Sequence, residues 1–248
     1  MREIRSVPAG RGWSWIVEGF SLFRRRPLLW LVLNILLFGI IWLLDHVPVA
    51  GAHIFYLLAP IFLAGMMAAC RDLEQGRPIE IAHLFRGFRE NTAPLVTIGG
   101  VHLVGQVLVS GLMLSLGGPE LREVMQEGGQ AAASVPPELQ GRILLALMVS
   151  MPVYLLLGMA MWFAPVLAML DGQPGTRALL LSVKAVLRNL LPFLVYSLAS
   201  SALLVLALIP MGAGLILWFP VMILTMYASW RDVFENRDDV TAVTTRLP

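Results

Sequence analysis

Five stretches of this chain contain no Asp, Glu, Lys or Arg. They are Pro27 to Leu44, His46 to Cys70, Asn91 to Pro119, Ile143 to Leu170 and Asn189 to Trp230, of 18, 25, 29, 28 and 42 residues. A helix crossing the hydrocarbon core needs about 20 apolar residues. The first run is just long enough, and the last suffices for two crossings. "IPMGAG" (Ile209 to Gly214) lies at the middle of that last run, where Pro and Gly break it. The expected fold is therefore an all-α integral membrane protein of six transmembrane helices. Composition agrees: 58% of residues are hydrophobic and 14% charged, with a mean hydropathy of +0.77. Soluble domains carry roughly 25% charged residues, so this chain has too little polar surface to face water all round.

The cations set the orientation. Residues 1–26, 71–93, 171–188 and 231–248 hold six, four, three and three Lys+Arg, and these are alternate, same-side segments. The opposite side holds Arg122 and Arg142 alone. Cytoplasmic loops carry such an excess, so both termini are expected in the cytoplasm, in a bacterial inner membrane. The N-terminal residues do not read as a signal peptide, because Arg11, Glu18 and Arg24 interrupt the apolar positions. A single cysteine, Cys70, excludes an intramolecular disulfide and a Cys-based metal cage.

"SLFRRRPLLWLVL" (Ser21 to Leu33), "HLFRGFRENTAPLVTIGG" (His83 to Gly100) and "SVKAVLRNLLPFLVYSLA" (Ser182 to Ala199) share one order: basic amphipathic segment, proline, apolar run. Trp13, Ile16, Phe20 and Phe23 fall at helical spacing, as do Ile81, Leu84, Phe85 and Phe88, then Leu180, Val183 and Leu187. Helices of this kind lie in the headgroup plane with arginines towards anionic lipid. Trp13–Arg26, Pro78–Glu90 and Arg177–Arg188 are thus expected as helices along the cytoplasmic face. Arg24, Arg25, Arg26, Arg86, Arg89, Lys184 and Arg188 would contact lipid headgroups. The exits also match: "PIFLAGMMAACRDLE" and "PVMILTMYASWRDVFE" both carry Arg-Asp after a proline, and "PVLAMLDG" is an abbreviated form. A single polytopic domain follows, built of three hairpin repeats at about 13–75, 78–172 and 174–235. A periplasmic insertion at about 117–142 begins with a short acidic helix, Pro119 to Glu127, and residues 236–248 form a flexible tail.

"VPAGRGWSWIVEGFSLFRRRPLLWLVLN" together with "FLAGMMAACRDLEQGRPIEIAHLFRGFREN" resembles an uncharacterised family of proteobacterial six-helix inner-membrane proteins, over nearly the whole chain. More distantly, the three-hairpin layout is similar to the membrane domain accompanying some glycerophosphoryl diester phosphodiesterases, whose catalytic domain has no room here. The resemblance implies fold and location and no catalytic or ligand residue.

The chain lacks His-Glu-x-x-His, Gly-x-Ser-x-Gly, P-loop and Gly-x-Gly-x-x-Gly motifs. No cofactor, metal or nucleic-acid partner is expected, and no enzymatic activity. Charged residues within spans usually mark ion or proton pathways, and none lies well inside a span. Uncharged polar residues do. Asn34, His102 and Ser200 lie seven or eight residues past Pro27, Pro94 and Pro192, roughly 10–12 Å deep. Gln106 is one turn beyond His102. If the first span of each repeat faces a central axis, Asn34, His102, Gln106 and Ser200 form an interior polar cluster. The plainer reading is interhelical hydrogen bonding. Gly65, Ala68, Gly99, Gly105 and Gly111 would permit close helix contact, and Trp42, Trp162, Trp218 and Trp230 would anchor span ends at the interface. The favoured function is a scaffold or accessory protein that organises lipid or protein partners, with anionic phospholipids, a membrane protein or a second copy as partner. The alternative is a permease or flippase-like carrier for an amphiphile.

Overall fold

The computed structural model describes residues 3–48, 50–118, 121 and 137–235. Over these residues it is helical and has no strand. The elements are α1 (Arg11–Arg25), α2 (Pro27–Asp45), α3 (Ala50–Glu74), a 3-10 helix (Ile81–Phe88), α4 (Thr92–Gly117), α5 (Pro137–Asp171), α6 (Gly175–Arg188), α7 (Leu190–Leu208) and α8 (Leu215–Phe234). Pro27 opens α2, and Pro94 and Pro192 fall in the first turns of α4 and α7, where a missing N–H leaves no helical bond unmade. Gly76 and Gly172 stop α3 and α5 with φ of 72° and 61°, the left-handed conformation that ends helices and favours glycine. The expected acidic helix of the insertion and the tail 236–248 lie outside the described residues.

Five helices, α2, α3, α4, α5 and α7, are long and apolar enough to cross a membrane. α8 has 20 residues, but its last turn contains Arg231 and Asp232, which shorten its apolar stretch.

The second helix of each hairpin lies inside. α3, α5 and α8 touch one another, whereas α2, α4 and α7 pack on the outside and make no substantial contact among themselves. The expectation that first spans face a common axis is therefore corrected. Both helices of a hairpin are apolar, but the inner ones carry the small and aromatic residues that interlock. Ile61 to Cys70 of α3, Phe163 to Ala168 of α5 and Leu224 to Trp230 of α8 supply most of the fully buried positions.

The three amphipathic segments close this trio on one side. The 3-10 helix packs on α3 and α2, and α6 packs on α5 and α4, so each sits on the hairpin before it in sequence. α1 packs on α8 and α7, the last hairpin described. The pattern joins end to start. The segment Ile81–Phe88 is a 3-10 helix rather than an α-helix. Each segment buries one side and leaves another open. α1 buries Trp15, Ile16, Leu22 and Phe23 while Trp13 and Phe20 stay exposed; α6 buries Ala178, Leu179, Ser182 and Ala185 while Leu180 and Leu187 stay exposed.

Close approaches sit where glycine or a small hydroxyl permits them. A Cβ at Gly65 would run into the His83 carbonyl, and one at Gly99 into the Leu57 carbonyl. Ser182 donates from Oγ to the Met159 carbonyl at 2.6 Å and accepts from the Phe163 N–H at 2.9 Å. Gly111 meets open space, so the expected packing role does not apply to it.

Candidate functional site

The four polar residues expected in the interior do not converge. His102 and Gln106 meet: His102 Nδ1 lies 3.0 Å from the Tyr56 carbonyl, and Gln106 Nε2 lies 3.3 Å from His102 Nε2. Both bonds form at once if Nδ1 carries the proton and Nε2 accepts, which is a neutral imidazole. This pair holds α4 to α3. Asn34 is buried at 4% exposure, and its amide donates back to the Trp30 carbonyl at 2.8 Å within α2. Its Oδ1 has no partner among the described residues. Ser200 donates to Met222 Sδ at 3.1 Å, joining α7 to α8. Asn34 thus bonds within its own helix, Ser200 within its hairpin, and His102 across two hairpins, at three separate places.

Polar side chains do converge at the ends of the helices that carry the Arg-Asp exits. Arg231 binds Glu74 and, at 2.6 Å, Glu18. Tyr227 donates to Glu74 at 2.7 Å. Arg11 binds Asp232 at 2.6 Å and Glu18 at 2.8 Å, and Trp15 Nε1 donates to Asp232 at 3.0 Å. Arg71 lies 3.7 Å from Glu235 and 4.0 Å from Asp171, donates to the Leu170 carbonyl at 3.0 Å, and covers the Trp230 ring at 5.1 Å. Trp230 in turn donates to Asp171 at 3.3 Å. The chain of contacts links α1, α3, α5 and α8 into one collar.

Two smaller ties extend it. Asp72 receives Arg86 and His83 at 2.9 Å each, together with Arg77, and so clamps the 3-10 helix to α3. Asn189 accepts from the Val7 N–H and donates to the Arg5 carbonyl, both at 2.9 Å, and so straps the N-terminal residues across the base of α7. Burial alone would lower the pKa of Arg11. The bond and charge of Asp232, with attraction from Glu18, outweigh it and raise that pKa, so Arg11 stays charged.

Sequence reasoning singled out the Arg-Asp exits as a repeat mark and did not assign them a site. The signal available was the acid–base pair itself, placed where a span leaves the membrane. Trp230, expected as an interface anchor, is 0% exposed and belongs to the collar instead. There it packs in the apolar core, donates to Asp171 and lies under Arg71.

The expected headgroup cations separate into two kinds. Arg86 is taken up by Asp72 and by Glu90, 2.9 Å away. Arg24 lies over the Phe20 ring at 5.3 Å. Arg25, Arg26, Arg89, Lys184 and Arg188 make no ion pair among the described residues. Two clefts lie on the flanks of the bundle. One, of about 570 Å3, borders Arg25 and Arg26. The other, of about 500 Å3, lies between α5 and α7 and is lined by apolar and aromatic residues including Trp162, Phe193 and Tyr196.

A protein of Burkholderia thailandensis named "Probable inner membrane protein" is 34% identical to this chain over 206 residues, covering 81% of this chain and 76% of the relative. No family model matches the chain, and no solved structure matches it. Together with the five apolar helices, the likeness places the chain in the inner membrane as a multi-pass protein.

Proposed function

This chain belongs to the family of that Burkholderia thailandensis inner membrane protein, and we propose that it is a non-enzymatic scaffold. In this reading six helices in three duplicated hairpins form a ring, with both termini in the cytoplasm, and its cytoplasmic face organises lipid or protein partners. The distant likeness to the membrane domain that accompanies some phosphodiesterases bears on this layout and carries no activity.

The observation that carries the proposal is the collar. A carrier with alternating access must part its halves on each side in turn. Here Glu18, Glu74 and Arg231 tie α1, α3 and α8 together, and Arg71 ties α3 to Asp171 and Glu235. Opening the cytoplasmic side would separate several partly buried charges at once, and leaving such a charge unpaired is costly. The centre below the collar is filled by Met66, Met67, Phe163 and Leu224. These features suit a fixed framework.

Reconstitution tests it. Purified protein in liposomes with fluorescent phospholipids in one leaflet should leave lipid flip at the protein-free rate. In-membrane photo-cross-linking from exposed positions of α1 and α6, such as Trp13 and Leu180, should capture a recurring lipid or protein. Accelerated flip would replace the scaffold with the carrier.

A further inference from the structure

The cleft at the α1–α2 junction is lined by Arg25 and Arg26 together with apolar Leu28, Val32, Ile79 and Ile81. α1 ends at Arg25, and α2 starts at Pro27 and runs into the apolar span. Arg25 and Arg26 therefore sit at headgroup level. Val32 lies six residues beyond Arg26, about 9 Å deeper at the rise of an α-helix. The opposite wall comes from the stretch between α3 and the 3-10 helix, where Ile79 is buried and Ile81 is half-exposed.

Charge together with shape distinguishes this cleft on the cytoplasmic face: Arg89, Lys184 and Arg188 also make no ion pair among the described residues, but none of them lines either cleft. Arg11, Arg71, Arg77, Arg86 and Arg231 all have carboxylate partners. Arg25 and Arg26 have none among the described residues. Glu80, between Ile79 and Ile81, is exposed and does not line the cleft. Two adjacent guanidiniums are thus left to an outside anion, and guanidinium matches phosphate oxygens in pairs. Directly below them is an apolar trough, and in a bilayer only acyl chains are at hand to fill it. The cleft between α5 and α7 has no cation in its lining and lacks this combination.

We propose that this cleft is a binding site for one anionic diacyl phospholipid, its phosphate held by Arg25 and Arg26 and one acyl chain laid along Val32, Ile79 and Ile81. The site rests on the lipid-organising reading above and gives it a specific position. A lipid held there bridges α2 to the segment that packs on α3, so it adds to the closure of the ring from outside the collar.

The test is lipid retention. Full-length protein from nanodiscs of equal phosphatidylglycerol and phosphatidylcholine is released into mild detergent, and bound lipid is counted by native mass spectrometry. Wild type should keep one phosphatidylglycerol in preference to phosphatidylcholine. Arg25→Gln/Arg26→Gln should lower that preference about tenfold or more, since each near-surface cation attracts anionic lipid separately. Ile81→Trp keeps both charges and blocks the trough from a half-exposed position, so it should also lose the lipid without unfolding. Arg177→Gln/Arg188→Gln removes two cations elsewhere on the same face and should retain it. The proposal fails if the Arg177/Arg188 pair matters equally, which would mean a diffuse surface field. It also fails if Ile81→Trp retains the lipid, or if millimolar glycerol phosphate displaces it, which would mean a soluble-phosphate site. The flip assay is unaffected by any of these results, so loss of the site and loss of the scaffold reading stay separate.

Discussion

Arg231 is shared by two carboxylates, Glu18 and Glu74, that come from opposite ends of the first hairpin unit. Replacing it by Met would leave Glu74 without its cation and Glu18 with Arg11 alone. Full burial would make that loss 3–5 kcal/mol, but about a third of the side chain meets water, so about 2 kcal/mol is expected. The measurement is thermal unfolding in mild detergent, where Arg231→Met should fall by several degrees and Arg231→Lys by less, since Lys keeps charge and loses the fork. Adding Glu74→Gln to Arg231→Met should recover part of the loss; an unchanged melting temperature in Arg231→Met would mean the collar is ornamental. Asn34 gives the opposite sign. Its amide bonds only to its own helix and its Oδ1 is buried without a described partner. Asn34→Leu removes that unmet acceptor at similar volume, so it should leave stability equal or raise it by about 1 kcal/mol. A large loss would restore Asn34 as a site.

At the scale of elements, the seat of α1 decides whether the ring is closed. Gly12 lies against the Pro192 carbonyl and the Tyr196 N–H of α7, so even the methyl of Ala has no room there. Gly12→Ala should therefore lift α1 and cost about 1–3 kcal/mol, the usual range for overpacking. Gly39 in α2 has nothing within contact range, and Gly39→Ala should stabilise slightly through helix propensity. Hydrogen exchange of α1 reads the first effect directly: wild-type α1 should exchange nearly as slowly as α8, and Gly12→Ala should release it. The apolar helices were legible in the sequence, because absence of charge marks a span; the 3.6-residue spacing of Ile81 to Phe88 did not foretell a 3-10 helix there. Which helix of each hairpin lies inside was not legible. α2 and α3 are both apolar enough to cross, and only the packing of Met66, Met67 and Cys70 against other hairpins distinguishes α3. The collar was half legible: the Arg-Asp exits stood out, but Arg231 finds Glu18 from 213 positions away, and nothing local encodes that pairing. The polar cluster was misjudged because equal depth on three helices says nothing about which way each face turns.

At the scale of the whole molecule, the number of crossings fixes where the C-terminal end lies. Five helices meet the length and hydropathy of a span, and five crossings would leave the two ends of the chain on opposite sides. We propose a sixth crossing, made by α8. α7 starts beside Asn189, which is bonded to Arg5 and Val7, so its first turn lies at the collar. α8 ends with Asp232 on Arg11 and with Val233 accepting from the Arg5 N–H at 3.0 Å, so its last turn lies at the collar as well. Both ends of the α7–α8 hairpin are therefore on one side, and in the proposed topology α8 crosses back whatever depth α7 crosses. Its 20 residues span about 30 Å as a helix, which is the thickness of the hydrocarbon core. In that topology the Arg-Asp pair that shortens its apolar stretch sits in the collar, at the membrane surface, and not in the lipid. Reporter fusions check this. Fusions after Gln75, Gly175 and Pro248 should report the cytoplasm, and a fusion after Leu116 the periplasm. A periplasmic report from the Pro248 fusion would mean that α8 does not cross, and Arg11 and Asp232 could then not meet as they do here.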